Sequence, residues 1–237
     1  MTGGSLAVLS WPPLNAGVFL ARETRFTALV ALDGREVRAH LGTSGRLAET
    51  LVPGRTVYLA AGEAPGRRTA WELVLARVDR VLVSVDSHLP NRLVAEAAAH
   101  GRLPPWWDAR PVGGLGFGES RLDFHLRGGG PDVLLEVKSV TLVADGAAMF
   151  PDAPTRRGAV QMADLAAALA AGYRAAVLFV VQRGDARVFR PADHIDPAFG
   201  AALRLCAARG VEVYARRLAV GLKQVALDGE LPVRLEP

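Results

Sequence analysis

Across the first 85 residues, apolar and polar positions alternate over short stretches divided by turn signals. Residues 25–32 are apolar with β-branched members and read as a strand, followed by Asp33-Gly34 as a hairpin turn. Residues 36–41, 56–60 and 71–80 read as further strands, Pro53-Gly54 as a turn, and 62–68 as a loop. Residues 43–51 carry a short helical pattern. Short strands at this spacing with a small helical insert predict a β-barrel of OB type. From residue 86 the rhythm lengthens. Residues 92–100 are Ala-rich and helical, with Asn91 as N-cap and Gly101 as the stop. Strands are expected over 110–115, 121–126 and 133–140, with Gly128-Gly129-Gly130-Pro131 between the last two. A long loop over 141–157 leads to a helix over 158–171. Residues 175–181, apolar throughout, read as a strand buried on both faces, before a helix over 198–209 and a strand over 211–216. This order predicts a mixed-sheet α/β domain. The chain then divides into a barrel (1–85), an α/β domain (86–220) and a C-terminal extension (221–237).

Composition narrows the class. Half the residues are hydrophobic and 22% are charged, which suits a packed core and excludes wholesale disorder. No apolar run approaches the roughly 20 residues of a membrane span. Residues 1–10 lack the basic and apolar regions of a signal peptide. The single cysteine, Cys206, excludes an intrachain disulfide and a cysteine zinc cage. A soluble, cytoplasmic protein with no membrane partner is expected. Of the 28 basic residues only Lys138 and Lys223 are lysine. With Ala so abundant, the Arg excess reflects a GC-rich coding sequence and is weak evidence for nucleic acid. A lysine kept against that bias is more informative, because its compact point charge does what arginine cannot.

One constellation carries chemistry: Asp123, twelve intervening residues, then Glu136-Val137-Lys138. Strand side chains alternate, so Glu136 and Lys138 share a face and Val137 points to the other. If the strands holding Asp123 and Glu136 pair across the glycine-rich turn, two carboxylates and an ammonium converge. Close carboxylates favour a shared proton or a hard cation such as Mg²⁺. A lysine beside them can orient a water or neutralise a phosphorus centre, the equipment of metal-assisted phosphodiester hydrolysis. The same residues also fit a salt-bridged strand end, and the residues alone leave both readings open.

Several stretches nevertheless occur together: Arg25-Phe26, Gly45-Arg46-Leu47, residues 88–94 (His-Leu-Pro-Asn-Arg-Leu-Val), Ser120-Arg121-Leu122-Asp123-Phe124, residues 136–142, residues 150–155 (Phe-Pro-Asp-Ala-Pro-Thr), residues 178–183 and Phe189-Arg190-Pro191-Ala192-Asp193, followed by Ile195-Asp196-Pro197. In this order, from about residue 22 to 220, the chain resembles the sugar fermentation stimulation protein A (SfsA) family. The resemblance implies an OB-like barrel and a nuclease domain of PD-(D/E)xK type. It implies DNA or RNA as partner and Mg²⁺ or Mn²⁺ as cofactor. Carried over, Asp123 and Glu136 would hold the ion with the Val137 carbonyl, and Lys138 would be the catalytic lysine. Glu96 would be an accessory carboxylate. Arg25, Arg46, Arg121, Arg156, Arg157 and Gln161 are expected to contact nucleic acid, the two adjacent arginines beside a helix N-terminus. The chain departs from the family pattern after His40, where Leu41-Gly42-Thr43-Ser44-Gly45 replaces an Asn-Thr-Gly-like turn, and at Val160-Gln161, where the family usually has Lys-His.

Phe26, Tyr58 and Trp71 are candidate stacking surfaces for unpaired bases. Trp106-Trp107 would stack or plug the domain junction. Asp152 would approach the metal or be solvated, and His40, His88 and His125 show no ligand spacing. The expected function is a nucleic-acid-binding protein with Mg²⁺-dependent phosphodiesterase activity. The alternative is a non-catalytic DNA-binding regulator linked to sugar metabolism. A homodimer would suit an enzyme that cuts two strands.

Overall fold

The computed structural model describes residues 5–43, 45–62 and 69–236; most of the expected 62–68 loop, and Ser44, lie outside the described residues. Seven strands come first: β1 (Ala7–Ser10), β2 (Leu14–Thr24), β3 (Thr27–Leu32), β4 (Arg35–Leu41), β5 (Thr56–Ala61), β6 (Trp71–Val78) and β7 (Val81–Ser84). Antiparallel pairing runs β4-β3-β2-β5-β6-β7, and a parallel pairing of β4 with β6 closes strands β2 to β6 into a barrel. Alternate positions face inward, Ala28, Val30 and Leu32 on β3 among them, and pack with Phe19, Leu41, Val57 and Leu73. Asp33 and Gly34 both have positive φ, which matches the right-handed twist of the flanking strands. Two details differ from expectation. Strand β2 is absent from the expected strands: its alternation is weak because it bends, with register shifts against β3 at Phe19/Ala21 and Arg22/Thr24. The described residues of the expected 43–51 helix form none; residues 47–51 make one turn, in which the Leu51 N–H donates to the Leu47 carbonyl (2.8 Å). Leu47 and Leu51 have apolar helical spacing because both plug the barrel core.

The second domain contains α1 (Leu89–Ala99), β8 (Arg110–Pro111), β9 (Leu115–Phe117), β10 (Ser120–Leu122), β11 (Phe124–Arg127), β12 (Val133–Val140), β13 (Val143–Ala144), β14 (Ala147–Phe150), α2 (Arg156–Ala170), β15 (Arg174–Val181), β16 (Val188–Pro191), α3 (Pro197–Ala208), β17 (Glu212–Val220) and β18 (Gln224–Leu231). A seven-stranded mixed sheet runs β1-β18-β17-β15-β12-β11-β8, with β12, β15 and β17 parallel. Helix α1 packs through Leu93, Val94 and Ala97 on one face, against Val133, Leu135 and Val137 of β12. Helices α2 and α3 cover the other through Met162, Leu165 and Leu203, against Leu134 and Val140. Strand β15, central and covered on both sides, is buried from Ala175 to Val181, as its unbroken apolar run requires.

Several expected boundaries move. The expected strand over 121–126 is broken by a bend at Asp123, so β10 pairs with β9 while β11 pairs with β12. Only the two ends of the 110–115 stretch are strand. The 141–157 loop contains β13 and β14, which join β16 in a three-stranded sheet. Asn91 is not the cap of α1: His88 holds that position and Pro90 sits in the first turn, where its missing N–H costs nothing. Residues 221–237 are not an appendage, since β18 lies between β17 and β1 in the large sheet. Strand β1, from the segment assigned to the barrel, completes that sheet instead.

Leu227 on β18 is fully buried against this core. Leu227→Ala is expected to destabilise the protein by about 2–5 kcal/mol, whereas Lys223→Ala, at an exposed neighbouring position, stays within about 0.5 kcal/mol. Urea midpoints of the two variants check this; equal midpoints would mean the strand is dispensable.

Candidate active site in the interdomain cleft

The bend at Asp123 determines the site. Beyond the Phe124–Leu135 pair, β12 has no ladder partner on that side. The Val137 N–H donates instead to Asp123 Oδ2 (2.9 Å), and Asn91 Nδ2 donates to Oδ1 (3.0 Å). In a strand the N–H and C=O of one residue point the same way, so the Val137 carbonyl also faces the Asp123 side. Val137 itself packs under α1, while Glu136 and Lys138 emerge on the α2 face, as the alternation requires.

Glu136 and Lys138 are 3% and 9% exposed, and Lys138 Nζ lies 2.7 Å from Glu136 Oε1. Gln161 joins both: its Oε1 accepts from Lys138 and its Nε2 donates to Glu136 Oε1. Helix α2 is held in place for this contact by Asp196. That carboxylate caps α3 through the Phe199 N–H (3.0 Å) and accepts the Thr155 N–H (2.7 Å), while Thr155 Oγ1 caps α2 through Gly158. Burial pushes the Glu136 carboxyl above its ordinary value; the Lys138 ammonium opposes the rise and the Asp123 charge adds to it.

The second oxygen of Glu136, Oε2, is buried and has no hydrogen-bond partner. A carboxylate oxygen without a partner, a second carboxylate and a backbone carbonyl lining one cleft offer the hard oxygen donors that suit Mg²⁺ or Mn²⁺. Asp123, Glu136 and the Val137 carbonyl would hold such an ion. Only two acidic side chains contribute, and among the described residues no group of three or more His, Cys, Asp or Glu is placed to hold a metal.

These groups face a cleft of about 510 Å³ between the two domains. Arg25 of the barrel, with Arg157 and Gln161 of α2, lines it; Arg46, Arg121 and Arg156 are exposed but outside its lining. Glu96 is also remote, paired with His100 on the exposed side of α1 (3.3 Å). Tyr58 is buried under Arg77 and Trp71 is half-buried against the barrel core, so of the three aromatic candidates only Phe26 is exposed. Trp106 packs edge-on to Tyr214 in the core, and His125 bonds Asp132 (2.7 Å). Asp152 lines the cleft, but its Oδ2 accepts the backbone N–H groups of Arg46 (2.7 Å) and Leu47 (3.3 Å), joining the barrel to the α/β domain. Sequence reading missed this tether and the Asn91 contact. The Pro in the first turn of α1 was the available signal that Asn91 lies inside the helix.

A closed OB barrel set over a mixed α/β sheet, with a carboxylate–lysine cluster facing the cleft between them, defines the class of protein. The model of the SfsA N-terminal OB domain matches residues 20–85, and that of the sugar fermentation stimulation protein RE domain matches residues 88–224. The chain belongs to the sugar fermentation stimulation protein family. A sugar fermentation stimulation protein homolog of Moorella thermoacetica is 45% identical over 94% of this chain and 97% of its own length. A homolog of Symbiobacterium thermophilum is 47% identical over 92% and 93%. The solved structure of Pyrococcus furiosus SfsA in complex with Ca²⁺ has a TM-score of 0.90 at 28% identity, covering 98% of this chain and 100% of that one.

Lys138→Met strands the buried Glu136 carboxylate and is expected to cost about 3–5 kcal/mol at pH 7. The Glu136 pKa is already raised in the folded protein. Its protonated form therefore favours folding at low pH, and that contribution is lost as pH rises through the raised value. Loss of Lys138 raises it further, so the penalty shrinks as pH falls. Adding Glu136→Leu should recover most of it at pH 7. Urea midpoints across pH check this, and a pH-independent penalty with no recovery would refute the pairing.

Proposed function

We propose that the protein is a divalent-cation-dependent phosphodiesterase acting on nucleic acid, with the α/β domain a nuclease of PD-(D/E)xK type. The observation that carries this reading is the buried Glu136 Oε2, which has no hydrogen-bond partner, in a cleft that Asp123, Val137 and Lys138 also line, with the Lys138 ammonium 2.7 Å from the other oxygen of the same carboxylate. Support comes from the Ca²⁺ bound by the Pyrococcus furiosus relative and from the OB domain, a fold used widely for oligonucleotides.

The residues divide the work. Asp123, Glu136 and the Val137 carbonyl would hold the cation, which when bound polarises the phosphodiester and lowers the pKa of water. Lys138 places a compact positive charge where negative charge builds on the phosphoryl oxygens, and its one remaining proton would orient a water. Gln161 fixes Lys138 and Glu136 in one arrangement, so neither must reorganise during the reaction. Asn91 holds Asp123 Oδ1 from α1. Arg25 of the barrel and Arg157 of α2, both lining the cleft, would attract the phosphate backbone without reading sequence.

Cleavage of a labelled oligonucleotide in Mn²⁺, abolished by EDTA, is the expected result. Asp123→Asn should weaken cation binding, read by calorimetry. Lys138→Gln keeps a donor toward Glu136 but removes the charge, and should lower the rate about a hundredfold or more. Binding without any EDTA-sensitive product would favour a non-catalytic DNA-binding regulator. Cleavage by both variants at the wild-type rate would refute the site.

A further inference from the structure

The tip of the β2–β3 hairpin consists of Arg25 and Phe26, between the paired Thr24 and Thr27. Two-residue hairpin tips ordinarily hold Asn or Gly. Here a large apolar ring, 47% exposed, occupies one, with the Arg25 guanidinium 5.4 Å from its centre. The tip is held fast. Arg22 donates to the carbonyls of Arg25 (2.6 Å) and Gly45 (2.6 Å), tying the tip to the loop before Leu47. Asp152 ties that loop to the α/β domain, and the Phe26 carbonyl accepts the Leu41 N–H (2.9 Å). The ring therefore stands beside Arg25, which lines the cleft, on a support hydrogen-bonded to the domain that carries Asp123, Glu136 and Lys138.

We infer that Arg25 and Phe26 form a stacking subsite for an unpaired base, and that the nucleic acid entering the cleft is single-stranded. This rests on the phosphodiesterase reading for the identity of the polymer. An exposed aromatic ring held rigidly beside a cation suits a nucleobase, whose face stacks on the ring while the guanidinium takes the adjoining phosphate. The cleft, about 510 Å³, is lined by Arg25 as well as by Asp123, Glu136 and Lys138, so a strand whose base stacks on Phe26 passes the same side chains. Its roof is tied down where Asp152 meets Arg46 and Leu47.

The test is fluorescence anisotropy in Ca²⁺, so that binding is read apart from turnover, with a short fluorescein-labelled oligonucleotide of mixed sequence, free or annealed to its complement. Wild type should prefer the free strand. Phe26→Ala, at an exposed position, should weaken that binding about tenfold, leave the weaker duplex affinity unchanged, and be rescued by Phe26→Trp. Equal affinity of wild type and Phe26→Ala for the free strand, or a wild type that binds duplex as tightly, overturns the inference. Failures separate cleanly. A protein that cuts nothing in Mn²⁺ yet loses single-strand affinity in Phe26→Ala loses only the catalytic reading. One that cuts in an EDTA-sensitive way while Phe26→Ala binds normally loses only the stacking subsite.

Discussion

Strand β11 leaves β12 one residue too early for a continuous ladder, and the chemistry of the site follows from that break. The two strands pair from Phe124–Leu135 to Leu126–Val133; at Asp123 the chain bends to supply β10, which pairs with β9 instead. The Val137 N–H thereby loses a backbone acceptor at a half-covered edge, where leaving it bare would cost about 1–3 kcal/mol. The Asp123 carboxylate takes that place. One substitution of a side-chain acceptor for a backbone acceptor stabilises the bend, brings a charge to the strand edge and turns the Val137 carbonyl toward it. A regular hairpin would satisfy the same hydrogen bond and leave no site.

The opposite face of β12 poses a different problem. Leu134 and Val140 show that this face is built for apolar contact with α2, yet Glu136 and Lys138 interrupt it. A buried ion pair is poor evidence for stability, because well-packed hydrophobic residues often do as well or better. Here it is also incompletely satisfied, since Glu136 Oε2 has no partner. An arrangement that gains little stability and leaves an acceptor bare is understandable when that acceptor has a second, charged partner during function. Gln161 keeps the pair from collapsing into another geometry, and Asp196, by tying the starts of α2 and α3 together, holds Gln161 within reach.

Period-two alternation was enough to place Glu136 and Lys138 on one face and Val137 on the other, and the unbroken apolar run of β15 announced a central strand. Alternation is a local property, so it survives any tertiary context. What it does not contain is where a strand stops pairing. The bend at Asp123 lies within an apolar–polar pattern that reads as one strand across 121–126, because Leu122 and Phe124 are both buried, in different clusters. Strand β18 was hidden for a related reason: its burial comes from pairing with β1 and β17, far away in sequence. Asp152 was read as a loop residue because nothing local shows that its acceptor role is directed across the domain junction to Arg46 and Leu47.

The distribution of arginine says more than its abundance. Much of the excess is spent within the fold: Arg174 pairs with Glu212, Arg183 with Asp185 and Arg204 with Asp193, while Arg38, Arg92 and Arg127 pair with Glu23, Asp86 and Asp132. Such pairs add little net field, and exposed ones add little stability. Among the described residues, Arg25 and Arg157 form no ion pair, and both line the cleft that holds the two carboxylates. Guanidiniums without an ion-pair partner in a concave site raise the positive potential there, and a polyanion is drawn to such a place by local field rather than by net charge. The acidic centre of that cleft would repel the same polyanion. Under the proposed function, a divalent cation held by Asp123 and Glu136 would remove that contradiction, because its charge offsets the two carboxylates and has to be counted with the site.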